Sequence, residues 1–305
     1  MLQTTVIPRL LRPIRSKLFV PASRPDLFPK AFHSAADALS FDLEDAVLPA
    51  YKANARAGIC DYLANSSIPR EKIVIVRVNS LRSEYFLADV VALAGASVDV
   101  INLPKVESAD DILRAIEAID KAETMAGCTA PKGILANIET AKGLRLAFEI
   151  ACAAPRVMGL QLGFTDFSME CGISSQNRTA LNAIRLGVRF AAAEAGIPSY
   201  DGAFVDVKNP EAFRLEALEA RDLGFSGKSC IHPSQIAVAN DVFAPTVEEV
   251  QRASAIIAAS DTARQSGMGA FVHDGKMVDL PILRRAEAVV ALAAKLGLHK
   301  TSQGD

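Results

Sequence analysis

The stretch ALSFDLEDAV (residues 38–47) opens as a run that is apolar on both faces, Ala38–Leu43, and closes on the acids Glu44 and Asp45. A strand without a polar face is buried from both sides, as in a parallel sheet covered by helices. Asp42, Glu44 and Asp45 put three carboxylates inside or against that run. Burying a carboxylate is costly unless it is paired, hydrogen-bonded or bound to a cation. The segment therefore predicts both a covered parallel strand and a charged site at its C-terminal end.

Similar runs recur on both sides of it. Lys17–Pro21 precedes it, and Ile73–Asn79, Val98–Lys105, Gly133–Glu139, Val157–Gly163, Ala203–Val207 and Gly227–His232 follow. Between most of them lie segments with apolar residues at helical spacing, such as ADDILRAIEAIDKA (Ala109–Ala122) and AKGLRLAFEIACAA (Ala141–Ala154). Strand and helix alternating eight times predict a closed (β/α)8 TIM barrel over residues 1–240, with a short N-terminal arm. An open doubly wound sheet is the alternative, disfavoured because no GxGxxG turn follows an early strand. After His232 the pattern changes to a helix near Glu248–Ser260, a glycine-rich loop at Gly267–Gly269, then FVHDGKMVDLP and a final helix. Residues 241–305 read as a C-terminal helical arm or lid.

Composition excludes several classes. A net charge of −2 gives no bias toward nucleic acid or an anionic membrane. Tryptophan is absent and aromatics are 6%, which leaves no base-stacking platform. Apolar runs such as Val90–Ala96 fall far short of a membrane span. Five cysteines without a CxxC pair suit neither a disulfide framework nor a zinc site, and point to a reducing, cytoplasmic compartment. The basic stretch MLQTTVIPRLLRPIRSK carries Pro8 and Pro13, which spoil an amphipathic transit helix, so it reads as a surface-packed or disordered arm.

In such a barrel, polar residues at the C-terminal ends of the strands face the active site. Strand two ends in Glu44 and Asp45, strand three carries Arg77, strand four runs into Lys105, strand five ends at Glu139 and strand six at Asp166. Strand eight ends near Lys228 and His232. Glu139 and Asp166 come from adjacent strands. Two such carboxylates repel unless a cation lies between them, and an oxygen-only pair with open positions suits Mg²⁺. The plainer reading makes Glu139 a helix cap and Asp166 the start of a turn. Arg77 either grips a substrate carboxylate or pairs with Glu44 or Asp45, and Lys105 reads as the partner of a rim acid. His232, beside Pro233 and the cap signals of SQI, reads as structural.

The segments RSKLFVPASRP, FDLEDAV, VRVNS, LPKVES, IET with LGFTDF, GKSCIHPSQI and GAFVHDGKMVDLP occur in one order from residue 15 to 281. Together they resemble the citrate lyase β-subunit-like branch of the HpcH/HpaI aldolase/citrate lyase superfamily, which includes malyl-CoA and citramalyl-CoA lyases. The resemblance implies a Mg²⁺-dependent carbon–carbon lyase that cleaves a β-hydroxyacyl thioester, linked to coenzyme A or a carrier protein, to an acetyl thioester and a 2-oxo acid. It implies a homotrimer or hexamer. By position, Glu139 and Asp166 match metal ligands, Arg77 a carboxylate-binding arginine, and Glu44 and Asp45 acids that hold metal-bound waters. Asp279 matches a catalytic acid that the C-terminal arm supplies to a neighbouring subunit's site. Ala22, where a glycine usually follows FVP, and the stretch FTDFSMECG depart from the pattern and leave the acyl carrier open. Rival readings are a free-acid 4-hydroxy-2-oxo acid aldolase using a rim histidine, an acyl-CoA thioesterase, and a non-catalytic subunit of a lyase complex.

Overall fold

A computed structural model of the chain describes residues 12–69, 71–265 and 269–298. The arm expected before residue 12, and Gly267 of the glycine-rich loop, lie outside the described residues. The described residues fall into two compact units, Met1–Asp241 and Val242–Asp305.

In the first unit, eight strands close into a barrel in chain order: β1 (Ser16–Pro21), β2 (Ala38–Asp42), β3 (Ile73–Arg77), β4 (Val100–Leu103), β5 (Gly133–Ile138), β6 (Val157–Leu162), β7 (Ser199–Asp201) and β8 (Gly227–Cys230). Every neighbouring pair is parallel, and β8 returns to β1 with Ser16 opposite Lys228. This is the (β/α)8 TIM barrel expected from the alternating pattern. Around it run α1 (Phe28–Phe32), α2 (Lys52–Asn65), α3 (Phe86–Leu93), α4 (Ala109–Met125), α5 (Ala141–Arg145), α6 (Ala147–Ala151), α7 (Phe164–Cys171), α8 (Arg178–Glu194), α9 (Pro210–Asp222) and most of α10 (Ser234–Val242).

The strands form where β-branched and apolar residues can be buried on both faces, as in IVIV of β3, where all four are inaccessible. Ile14, Ala38, Ile73, Ile75, Val100, Leu135 and Tyr200 pack into one core cluster. The helices begin where the sequence supplies a cap. Ser108 Oγ accepts from the Asp111 amide at the start of α4, and Asn209 Oδ1 from the Ala212 amide ahead of Pro210 in α9.

Strand seven departs from expectation. Ala203–Val207 is a loop, with Val205 71% exposed, and the strand is the shorter Ser199–Asp201. Apolar content misled because β7 is selected by its neighbours. Leu160 pairs with Ser199 on one side and Lys228 with Asp201 on the other, where buried cations neutralise the aspartate.

The second unit holds α11 (Val247–Gln265), a hairpin of β9 (Phe271–His273) and β10 (Lys276–Val278), and α12 (Leu280–Lys295). Asp274 and Gly275 turn the hairpin, both at positive φ, a conformation that an Asp-Gly pair tolerates. Asp279 caps α12, its Oδ1 accepting from the Ile282 amide at 3.3 Å.

Candidate active site

A cavity of about 370 Å³ opens at the C-terminal ends of the barrel strands. Alternation along β1 turns Phe19 and Pro21 inward to line it, with Asp42, Arg77, Asn137, Gln161 and Ser229 from other strands. Glu139, one residue past β5, and Asp166, in the first turn of α7, line the same cavity.

The three carboxylates of FDLEDAV meet three kinds of partner. Arg77 forms a two-pronged bond to Asp42, Nε to Oδ1 and Nη2 to Oδ2, each at 2.7 Å. Asp42 also accepts from the amides of Glu44 and Ala46, each at 3.0 Å. Burial alone would raise the Asp42 carboxyl, yet the guanidinium and these amides outweigh it and hold the group below its usual value. Glu44 lies 2.9 Å from Lys105 Nζ and 3.1 Å from Arg77 Nη1, and burial keeps its pKa above the ordinary value. Asp45 is half-exposed and holds the same cations loosely, at 3.5 and 3.7 Å. Lys52 Nζ donates to the carbonyls of Leu43 and Glu44 and fixes the turn from behind.

Glu139 does not cap a helix. Thr140 does, accepting from the Gly143 amide at 2.9 Å, which leaves the Glu139 carboxyl to the cavity. Asn137 Nδ2 donates to its Oε1 and is itself oriented by Asn102 Nδ2, 2.6 Å from Asn137 Oδ1. Oε2 is buried without a hydrogen-bond partner. Burial first, then the nearby Glu44 charge, push the Glu139 pKa up to about 7. The carboxyl lies where it does because residue 163 is glycine: a Cβ there would come within 2.5 Å of Glu139 Cγ.

Beneath the cavity, Lys17 is fully buried with Nζ unpartnered, 4.3 Å from the centre of the Phe19 ring. Burial and the charge of Arg77 lower its pKa to about 7.

Among the described residues, Asp42, Glu44, Asp45, Glu139 and Asp166 thus stand near four cations, Arg77, Lys105, Lys52 and the buried Lys17, whose own charge is disfavoured. Among the described residues no three of His, Cys, Asp and Glu converge as a self-sufficient metal cluster. Mg²⁺ needs no such cluster. It binds through one or two carboxylates and keeps water or substrate in its other positions. An excess of negative charge, with a buried carboxylate oxygen left unbonded, fits that demand.

Three expected site residues stand differently from the sequence reading. Asp166 lies in a helical first turn rather than at a strand end, where its charge suits the helix dipole. Arg77 makes the expected ion pairs with Glu44 and Asp45 through Nη1, at 3.1 and 3.5 Å, and commits its other two nitrogens to Asp42, a pairing the sequence did not indicate. Lys228 is not a rim residue: it is buried, bonding Asp201 Oδ2 at 2.6 Å and Glu216 Oε1 at 2.7 Å. His232 is exposed and meets Ser234 Oγ through Nδ1 at 2.8 Å. Asn137 and Gly163 went unread, though the two-residue spacing of Asn137 and Glu139 in NIE already put them on one face.

The model of the HpcH/HpaI aldolase/citrate lyase family matches residues 15–233. The chain belongs to that family. Among its relatives, the citrate lyase subunit beta of Escherichia coli K12 is 36% identical over 302 residues, covering 98% of this chain and all of that protein. The L-malyl-CoA/beta-methylmalyl-CoA lyase of Cereibacter sphaeroides is 36% identical over 303 residues, 92% of this chain and 95% of that one. Among solved structures, CitE of Mycobacterium tuberculosis in complex with magnesium, acetoacetate and coenzyme A superposes with a TM-score of 0.76 at 33% identity, covering 93% of this chain and 99% of that one. In this family member no helix among the described residues is long and apolar enough to cross a membrane.

Proposed function

We propose that this family member is a Mg²⁺-dependent carbon–carbon lyase. It cleaves a β-hydroxyacyl thioester to an acetyl thioester and a 2-oxo acid, and runs the condensation in reverse. The observation that carries the reading is Glu139: a buried carboxylate at the barrel mouth, one oxygen tied to Asn137 and the other without a partner, in the cavity that Asp166 also lines. The lyase names of the relatives, and the magnesium and coenzyme A named with the M. tuberculosis structure, support the same assignment.

Glu139 and Asp166 would hold the metal, Asn137 occupying Oε1 and leaving Oε2 free for it. Bound Mg²⁺ supplies the Lewis acidity that makes the hydroxyl of an α-hydroxy acid acidic near neutral pH. Glu44 and Asp45 would accept hydrogen bonds from water at that site. Arg77 orients the substrate carboxylate through Nη1, the one nitrogen not committed to Asp42. Its loosest partner, Asp45 at 3.5 Å, is the one displaced. Phe19, Pro21 and Leu162 keep solvent from the breaking bond. Asp279, supplied by the C-terminal arm (residues 241–305) of a neighbouring copy, gives a proton to the thioester α-carbon in cleavage and removes it in condensation. We further propose a homotrimeric or hexameric assembly, a coenzyme A or carrier-protein thioester as substrate, and a cytoplasmic location.

The test is a Mg²⁺ titration alongside thioester cleavage. Glu139→Gln and Asp166→Asn each lose metal affinity and turnover together. Asp279→Ala keeps Mg²⁺ and 2-oxo acid binding but loses rate. Wild-type Mg²⁺ affinity in both carboxylate variants would remove the basis of the assignment.

A further inference from the structure

Beside the catalytic cavity lies a second one of about 540 Å³. The two share a wall of Phe164, Thr165, Ala203 and Val205. Each is of the size that takes a small-molecule ligand. The second is built mainly by the segments that follow β6 and β7, which also contribute to the first, so it adjoins the candidate metal site.

The lining of this cavity states what it accepts. Met169, Ile173, Leu181 and Phe204 make it mainly apolar, and Met169 and Val205 leave 78% and 71% of their surface uncovered. No lysine or arginine lines it, whereas Asp206 and Glu216 do. Glu216 is already bound to Lys228 at 2.7 Å and Arg185 at 3.2 Å. Among the described residues its buried unbonded polar atom is the Ser168 hydroxyl, an uncharged group. A phosphate-bearing carrier or a second carboxylate would meet negative charge and no cation there. An aliphatic chain would meet mostly carbon, with Thr165, Ser168, Ser175 and Gln176 as the uncharged polar groups of the lining.

The Phe164 ring, which lines both cavities, is held in place. The Arg185 guanidinium lies 4.7 Å from the centre of the Phe164 ring and is anchored to Asp201. Gly202 makes room for that ring: a Cβ there would lie 2.7 Å from Phe164 Cδ2. The cleft is therefore built into the barrel rather than formed by a loose loop.

We infer that the substrate carries an uncharged aliphatic substituent on its hydroxyl-bearing carbon, housed in this second cavity. The 2-oxo acid released is then a monocarboxylate with a chain longer than that of pyruvate. This deepens the lyase reading and rests on it.

The experiment measures condensation of acetyl-CoA with a series of 2-oxo acids by the Mg²⁺-loaded enzyme: glyoxylate, pyruvate, oxaloacetate, 2-oxobutyrate, 2-oxopentanoate and 2-oxohexanoate. Binding of each acid is followed in parallel by calorimetry. With each added methylene buried, kcat/KM rises about fourfold from pyruvate onward, and oxaloacetate falls below pyruvate. Ile173→Trp, which fills the cavity, abolishes the gradient, while Leu113→Ala on the exposed side of α4 keeps it. A flat or inverted series with measurable turnover overturns the substituent assignment and leaves the lyase reading standing. Absence of turnover and of Mg²⁺-dependent binding for every acid overturns both. A crystal structure with 2-oxohexanoate bound supports the inference if the chain occupies the cavity. It overturns the inference if a second copy of the protein fills that space.

Discussion

Replacing Gly163 by alanine tests how the site is built without touching a single charge. Gly163 has φ −119° and ψ 90°, an extended conformation open to alanine, so the backbone itself is not strained. The obstacle is the side chain of Glu139. An added Cβ would meet its Cγ at 2.5 Å, Cδ at 2.9 Å and Oε1 at 3.0 Å. Carbon atoms rest at about 3.5–4.0 Å, so the carboxyl must retreat by roughly 1 Å. Overpacking of this kind costs about 1–3 kcal/mol. At roughly 2–4 °C per kcal/mol, the melting temperature drops by several degrees. The retreat also strains the bond from Asn137 to Oε1 and moves Oε2 from its position toward the metal. Ligand placement tolerates only about 0.2 Å, so Mg²⁺ binding weakens tenfold to a hundredfold. Calorimetric Mg²⁺ titration and thermal melting read the two effects separately. A variant that melts lower yet binds Mg²⁺ as the wild type does would refute the role of Glu139. One unchanged in both would refute the packing argument itself.

Lys17→Met removes a buried ammonium with no partner. Burial has lowered the folded pKa from 10.5 to about 7, so the unfolded chain binds more protons between those values and wild-type stability rises with pH across that window. The methionine variant is therefore more stable than wild type at pH 7, by about 1 kcal/mol or more, and loses that advantage toward pH 10, as parallel melts at the two pH values will read. Asp201→Asn removes the fully buried counter-ion that Lys228 and Arg185 share and leaves them the less buried Glu216. It destabilises by about 3–5 kcal/mol in urea unfolding, and a loss under 1 kcal/mol would contradict the pairing. Gly58→Ala, inside α2 with nothing within 4 Å of the new Cβ, stabilises by about 0.5–1 kcal/mol in the same assay.

The barrel was legible because its strands are apolar on both faces and its helices are periodic, two signals that depend only on local sequence. Strand seven was not, because Ser199, Tyr200 and Asp201 are strand residues only by virtue of what surrounds them. Asp201 is tolerable in a buried strand only because Lys228, opposite it on β8, and Arg185, from α8, converge there. The pairing of Arg77 with Glu44 was legible, but the same limit hid its two-pronged bond to Asp42. The sequence places three acids within four residues, and nothing local says that the first of them, Asp42, takes the guanidinium fork. The register does: Asp42 stands opposite Arg77 across the β2–β3 pair. Neighbouring strands in register bring these side chains together, and the period-two pattern sends both to the interior.

That register also explains why the acids of FDLEDAV differ in role despite their proximity. Asp42 lies within the strand, is saturated by Arg77 and two amides, and has no capacity left for a ligand. Glu44 lies two residues on, held between Lys105 and Arg77, with Oε2 buried and not hydrogen-bonded. Asp45 is half-exposed and weakly held, so its place beside Arg77 Nη1 is the one the proposed substrate carboxylate would take. Depth along one strand end therefore grades three chemically similar groups from structural anchor to exchangeable partner. Glu139, on the far side of the cavity, has an amide from Asn137 on one oxygen and nothing on the other. Glu139 Oε2 and Glu44 Oε2 are thus the buried carboxylate oxygens left without a hydrogen bond, and Glu139 shares the cavity with Asp166, the pair proposed above to hold the divalent cation.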